Sequence, residues 1–415
     1  MRPTLRENLA TLRPIRGLLV SIAVARSSVM LFPFYGAYLA VTREGLRPAA
    51  IGLVIGAFGV GALLADVTVS QLTRRMPERR VAVLGMLGVA LCVLVVAVVP
   101  GLWPLVAATA AWGFCYELIN PVSYTMVANT MPDSQRRFAF AAVRLAVNVG
   151  MGIGPVIAGL LFKVSPGLLV WGTAVGYLVA AGVLARSRLT DDRREATAPA
   201  AADPAGDGPA ADRSGSELRF WSFFASIMPI HLAYALPPTV VSAYVIQKLH
   251  GPPVWVSAIF ATNALMVITC EISLNHLMNH WRRRTTLLTG YACAIIGFGL
   301  MGLGANPWLL LLGTAWWTLG EMIVFPAMMD HVSAVSPPAL KARNIGFYAA
   351  GVNIGVLVAP MMFLPLIAVV DARVAWAVVA GVVGLGMIAV AALSTVRYLW
   401  TSDGAAPAAV AEVSR

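Results

Sequence analysis

Twelve stretches of roughly twenty mostly apolar residues dominate this chain, and that is the length an α-helix needs to cross a bilayer. They fall near residues 17–41, 48–72, 81–100, 103–127, 137–163 and 167–186, then 220–247, 253–278, 285–304, 308–331, 343–369 and 373–396. Few folds accept such a pattern. A water-soluble domain carries about 25% charged residues, whereas 59% of these 415 residues are hydrophobic and 12% charged. A disordered chain needs the opposite balance, and the strands of a membrane barrel alternate apolar with polar residues. The expectation is an all-α integral membrane protein with twelve transmembrane helices.

The net charge of +11 then reads as topology. Binding a nucleic acid would require a basic face on a water-exposed domain, so no nucleic-acid partner is expected. Cytoplasmic loops of membrane proteins are enriched in Lys and Arg. With the N-terminus inside, 23 of the 30 basic residues fall in inner segments. Five fall in outer loops, Arg43, Arg47, Lys163, Lys248 and Arg373, while Arg26 and Arg144 lie inside helices. Both termini are therefore expected in the cytoplasm. Only three basic residues are lysine and Ala is abundant, the bias of a GC-rich genome. The expected location is thus a bacterial plasma membrane (the cell inner membrane), with membrane lipids as partners. No small-residue cleavage site precedes Arg43, so the first run is read as a span and not as a signal peptide. Cys92, Cys115, Cys270 and Cys293 sit in apolar runs and read as small buried hydrophobes, neither disulfides nor metal ligands.

An internal repeat organises the chain. Adding 205 to the three tryptophans of the first half gives a tryptophan each time: Trp103/Trp308, Trp112/Trp317 and Trp171/Trp376. The same offset pairs Pro33/Pro238, Pro48/Pro253, Pro121/Pro326 and Pro155/Pro360, and also Gly150/Gly355, Asp66/Glu271 and Arg26/His231. Six spans followed by six in the same orientation form a parallel repeat, an architecture that holds a site near the midplane and rocks about it. Residues 1–186 are read as an N-terminal six-helix bundle and 220–400 as a C-terminal one. Between them, 187–219 is rich in Ala, Pro, Asp and Gly and reads as a flexible cytoplasmic linker; 401–415 reads as a disordered tail.

Two local motifs stand out. On the fifth span, Gly150-Met-Gly-Ile-Gly154-Pro155-Val-Ile-Ala-Gly159 places Gly150 and Gly154 on one face, where a second helix can approach closely. Pro155 removes a backbone hydrogen bond and permits a bend. Plain helix packing would use the same glycines. Between spans two and three lies Ser70-Gln-Leu72-Thr-Arg74-Arg75-Met-Pro77-Glu-Arg79-Arg80, a basic loop that also suffices to set topology. Together with the twelve spans in two halves, these motifs resemble the major facilitator superfamily (MFS), and in particular its twelve-helix drug:proton antiporter-like exporters. The resemblance covers the whole chain except the linker and tails. The glycine-proline motif resembles the one associated with antiporters in that superfamily. The basic loop is a degenerate copy: Ser70 stands for a Gly, Arg74 for the Asp and Pro77 for a second Gly. Thr109 stands where many proton-coupled exporters have an Arg on the fourth span.

Ionisable residues inside spans cost at least about 2.5–3.5 kcal/mol each to bury, so each needs a partner or a wet cavity. Arg26, Glu117, His231 and Glu321 fall near mid-membrane. The resemblance implies that spans one, four, seven and ten line a central cavity, which would set Arg26 facing Glu117 and His231 facing Glu321. These four are the proton-coupling candidates, although static pairs would use the same residues. Glu321 is offset by 204 from Glu117, so the two are expected to face about 100° apart. Asp66, Arg144 and Glu271 lie nearer the span ends. By the resemblance, Arg144 and Glu271 would bridge spans five and eight as a conformational latch, with Asp66, Arg74 and Arg75 as further latch candidates. Phe32, Tyr35, Tyr116, Asn120, Tyr234, Asn263 and Trp317 are candidates to line the substrate cavity, or else they pack the core. Trp103, Trp171, Trp308 and Trp376 read as an interfacial belt.

No catalytic constellation or phosphate-binding loop accompanies the spans, so the chain is not expected to be an enzyme. No cofactor is expected, with the proton gradient as driving force. His276 and His280 share a helix face, but they neighbour Arg282, Arg283 and Arg284 at a helix end, so no metal is expected. The expected function is secondary active transport by alternating access, acting as a monomer: proton-coupled efflux of a small amphipathic compound such as a drug or secondary metabolite. One alternative is an uptake symporter or facilitator for a sugar, nucleoside or organic acid. Another is a non-transporting membrane receptor or assembly factor on the same scaffold.

Overall fold

The computed structural model describes residues 11–187, 210–303 and 306–400. Most of the expected linker, residues 188–209, and the tail 401–415 lie outside the described residues. Helices fill the rest. The first half contains α1 Arg16–Ser27, α2 Leu31–Thr42, α3 Pro48–Arg75, α4 Glu78–Val98, α5 Leu102–Thr130, α6 Asp133–Val164 and α7 Gly167–Arg186. The second contains α8 Ala210–Tyr234, α9 Leu236–Ala243, α10 Pro253–Leu277, α11 Arg283–Met301, α12 Pro307–Val335, α13 Pro338–Val369, α14 Ala372–Leu393 and a short α15 Arg397–Trp400. Among the described residues they make twelve helical segments long and apolar enough to cross a membrane, with α1–α2 and α8–α9 each serving as one crossing.

The repeat extends to the helix boundaries. Shifted by 205, Leu102–Thr130 becomes Pro307–Val335 and Asp133–Val164 becomes Pro338–Val369. Proline sets several of these starts, because the first helical position has no N–H partner to lose. Proline also explains a departure from the expected continuous first and seventh spans. Pro33 has no N–H to offer Val29, so α1 stops at Ser27 and the helix restarts with Pro33 in the first turn of α2. Pro237 and Pro238 interrupt the seventh span at Ala235 in the same way. A second departure is that α8 begins at Ala210, within the stretch expected to be linker; Glu217 there forms an ion pair with Arg343 at 2.9 Å.

The helices gather into two compact units. One comprises Met1–Ala196, Leu236–Ile268 and Val356–Val369; the other comprises Thr197–Ala235, Thr269–Gly355 and Val370–Arg415. In the first, α3 and α4 pack along α5, α4 also packs along α7, and α1 lies against α6 and α7. That unit also seats α9 along α2. It presses Gly52, Gly56 and Gly59 of α3 onto the backbone of Leu357 and Pro360 in α13. Close helix approach of this kind depends on small residues, since lipid gives helices no hydrophobic drive to associate. In the second unit α11 packs along α12 and α14, and α8 along α14.

Several arginines cap helix ends. Arg43 donates to Val96 O and Ala97 O at 2.8 and 3.0 Å, at the end of α4. Arg136 donates to Ala128 O at 2.9 Å at the end of α5. Arg79 donates to Leu184 O at 3.2 Å and to Ala185 O, at the end of α7. Each satisfies carbonyls that a helix C-terminus leaves unpaired and complements its negative dipole end.

Trp103, Trp171 and Trp308 are exposed as a belt would require, but Trp376 is fully buried and stacks on Phe298 at 6.1 Å. Of the cysteines only Cys293 is buried; Cys92 and Cys115 are half-buried, Cys270 is exposed, and all four are free thiols. A lipid-facing position is as apolar as a core position, so the sequence pattern does not separate the two.

Candidate functional site

In the first unit the site forms where α1 breaks. Arg26 sits one residue before the end of α1 and is buried. Its guanidinium donates to the Tyr116 hydroxyl and to Asn120 Oδ1, both on α5. It also lies over the Tyr116 ring, 4.9 Å from the centroid. Asn120 turns its amide nitrogen to Glu117 Oε1 at 3.5 Å. Arg26 and Glu117 are therefore joined through Asn120 and not as a direct ion pair. Asn120 suits that place because its side chain both accepts and donates. Glu117 has a further local feature: Pro121, four residues on, cannot donate to its carbonyl, which loosens α5 at this turn. Asp66, half-buried on α3, is close enough to Glu117 for the two carboxylates to act on each other.

The glycine motif holds this arrangement in place. A side chain at Gly150 would strike Arg26 Cβ and come within 2.8 Å of Ser27 N; at Gly154 it would come within 2.9 Å of Ser27 O. Only glycine lets α6 press so closely on the turn that carries Arg26. Further along, Pro155 O accepts a hydrogen bond from Ser257 Oγ of α10 at 2.8 Å, and Gly159 abuts the same serine.

Aromatic rings close the neighbouring space. Phe32 lies 4.3 Å from Phe58 and 5.8 Å, edge-on, from Trp112. Tyr35 is fully buried, bonded through its hydroxyl to Thr109 Oγ1 at 2.7 Å and edge-on to Trp112 at 5.3 Å. Phe58 also meets Tyr116 at 5.4 Å. Phe58, Trp112 and Thr109 were not among the cavity candidates. Trp112 carried a signal, since it is the repeat partner of Trp317; Phe58 carried none.

The second unit builds its counterpart differently. Gly355 lets α13 approach the His231 carbonyl, where a Cβ would come within 2.6 Å, just as Gly150 meets Arg26. His231 is buried, and among the described residues neither ring nitrogen has a hydrogen-bond partner. Its ring instead stands edge-on to Phe325 at 5.7 Å and Tyr348 at 5.3 Å. Glu321, half-buried on α12, is near Tyr234 and not hydrogen-bonded to His231. Tyr234 donates to Trp317 O at 2.7 Å and meets the rings of Trp317 and Phe325, one turn to either side of Glu321. The repeat explains the contrast. His231 and Glu321 occupy the places of Arg26 and Tyr116, but an imidazole reaches less far from the backbone than a guanidinium.

Asn263 is half-buried on α10, Glu271 is half-buried near the end of that helix, and Arg144 is exposed on α6. Arg74 and Arg75 are exposed at the end of α3. Among the described residues no group of three or more His, Cys, Asp or Glu side chains could hold a metal.

Comparison with known proteins agrees with this architecture. The family model described as Major Facilitator Superfamily matches residues 18–339 and 221–409. An uncharacterized MFS-type transporter of Mycobacterium tuberculosis is 26% identical over 422 aligned positions, covering 92% of each chain. The uncharacterized MFS-type transporter YttB of Bacillus subtilis is 22% identical over 254 residues, 60% of this chain and 62% of that protein. Among solved structures, the nucleoside transporter NupG superposes with a TM-score of 0.70 at 15% identity, covering 92% of this chain and 98% of its own.

Proposed function

The chain belongs to the Major Facilitator Superfamily of secondary transporters, and from that premise we propose that it exports a small amphipathic compound, such as a drug or secondary metabolite, in exchange for protons. It works by alternating access, as a monomer in a bacterial plasma membrane with both termini in the cytoplasm. What carries this reading is Glu117, a carboxylate within a membrane span, linked through Asn120 to the buried Arg26. Exposed to the outer, proton-rich side, Glu117 takes up a proton on a carboxylate oxygen. Exposed to the cytoplasm, it returns that proton, and the negative charge is again balanced by Arg26 through Asn120. Substrate and proton then occupy the site in turn, so the gradient of one drives the other. Glu321 beside Tyr234 supplies a second carboxylate in the other half. His231, free of hydrogen bonds among the described residues, adds an imidazole whose ring nitrogen can accept a proton. The Phe32–Phe58–Trp112 rings offer an apolar wall to an amphipathic compound. Asp66, Arg144, Glu271, Arg74 and Arg75 act as the latch between conformations. The glycine-proline motif on α6 supports export over uptake.

The test is transport in proteoliposomes with an imposed pH gradient, over a panel of amphipathic compounds. Wild type is expected to show gradient-driven export. Glu117→Gln is expected to keep exchange of labelled for unlabelled substrate but lose gradient-driven accumulation. Gradient-driven transport that survives in Glu117→Gln would remove the residue from the coupling role. Accumulation in the direction of proton flow would establish uptake instead, and absence of any exchange would leave a receptor or assembly role.

A further inference from the structure

Two cavities flank the C-terminal end of α7. One, of about 470 Å³, is lined by Arg13, Pro14, Arg16, Gly17 and Ser187. The other, of about 390 Å³, is lined by Arg79, Arg80, Val83, Leu84 and Ala185. Among the described residues, four arginines and no acid line them. The fork of Arg79 is held in place by its bonds to Leu184 O and Ala185 O. Arg13, Arg16 and Arg80 are exposed and form no ion pair among the described residues. The end of α7 joins the two cavities: Ser187, which bonds back to Leu184 O at 2.7 Å, belongs to one and Ala185 to the other.

A cationic recess of this kind selects an anion with several acceptor oxygens, because guanidinium forks match phosphate geometry. The wall below it then decides what kind of anion. Leu84 is 53% exposed, and Leu87 and Leu91, at 40% and 62%, follow it down the same face of α4. The spacing of three and then four residues keeps them in one strip. An apolar track that starts at the arginines and runs into the membrane fits an amphiphile and not a free ion. We propose that this is a binding site for an anionic phospholipid of the arginine-rich leaflet. Its phosphate sits among Arg79, Arg80 and Arg16, and an acyl chain lies along Leu84, Leu87 and Leu91. The basic loop between the second and third spans, which departs from its family's pattern at Ser70, Arg74 and Pro77, thereby gains a role as part of a headgroup clamp. The proposal does not depend on the direction or coupling of transport.

The experiment measures phosphatidylglycerol and phosphatidylcholine retained by the purified full chain, by native mass spectrometry and by titration of lipid into detergent. Phosphatidylglycerol is expected to be retained in preference to phosphatidylcholine. Each arginine near an anionic headgroup contributes about fivefold in affinity. Arg80→Gln is therefore expected to weaken binding about fivefold, and Arg16→Gln with Arg80→Gln about 25-fold. Both positions are exposed and, among the described residues, without ion-pair partners, so either single variant serves if the pair fails to fold. Arg284→Gln, an exposed arginine at the start of α11, removes the same charge elsewhere on that side and is expected to change nothing. Equal weakening by Arg284→Gln would reduce the effect to general surface charge and overturn the site. Equal retention of the two lipids would overturn it as well. Displacement of the lipid by millimolar inorganic phosphate, with no effect of Leu84→Asn, would mark a solute-anion site and overturn the lipid assignment.

Discussion

Gly59→Ala is the most direct probe of how the first unit is held. A methyl group there would lie 2.5 Å from Leu357 N and 2.7 Å from Leu357 Cα, both backbone atoms of α13. Carbon contacts settle near 3.5–4.0 Å, so α3 and α13 would have to part by about 1 Å. Neither atom belongs to a flexible side chain that could swing away. Overpacking of this kind costs about 1–3 kcal/mol, which converts to about 5- to 150-fold in an equilibrium constant. If the contact exists in only one of two transport conformations, the whole cost falls on that conformation and the population moves toward the other. The readout is a reporter cysteine in a background without the four native ones. Ala243→Cys suits, since Ala243 is 5% exposed and its methyl faces Gly36. Labelling by a membrane-impermeant maleimide is expected to rise at least fivefold in Gly59→Ala. Gly299→Ala, at a position where a methyl meets nothing within 4 Å, is the control. Unchanged labelling together with an unchanged melting temperature would refute the reasoning, because the contact would then be neither tight nor specific to one conformation.

Two further outcomes follow from the contacts of the first unit. Arg26→Lys keeps the charge but loses the fork that reaches Tyr116 and Asn120 together; it is expected to cost about 1.5–3 kcal/mol, the worth of one hydrogen bond to a charged group, and to abolish gradient-driven transport. Wild-type melting and transport in Arg26→Lys would show that charge alone suffices. Ser257→Ala loses the bond to Pro155 O, worth about 1 kcal/mol, and also clears the atom that a methyl on Gly159 would strike. Gly159→Ala should therefore be milder in the Ser257→Ala background, and strictly additive effects on melting temperature would dismiss the contact.

The spans were legible because crossing a membrane demands one length and one chemistry, and both are written along the chain. The repeat was legible in its tryptophans and prolines, and the helix boundaries follow it. The breaks at Ser28 and Ala235 were encoded too, in Pro33 and Pro238, but apolar character continues across them and hides the interruption. Side-chain partnerships were harder to read. Counting rise along a helix brings Arg26 level with Glu117, yet how far an arginine reaches and where an amide turns decide that Tyr116 and Asn120 stand between them. The same difference in reach leaves His231 against aromatic rings and Glu321 beside Tyr234. Trp376 shows a further limit: at a span end, exposure to the interface and burial against a neighbouring helix leave the same residue type in the same place.

Because the helices of the two halves start at a constant offset from α2 and α9 onward, many positions in one half have an experimental control in the other, inside the same polypeptide and the same bilayer. Gly150 and Gly355 each let a helix approach the turn that bears a basic residue, Arg26 in one case and His231 in the other. Placing the same substitution at both glycines, one at a time, separates what the scaffold requires from what the chemistry requires. Steric damage should match between the copies. Whatever does not match measures the difference between a guanidinium bound by Tyr116 and Asn120 and an imidazole left among aromatic rings.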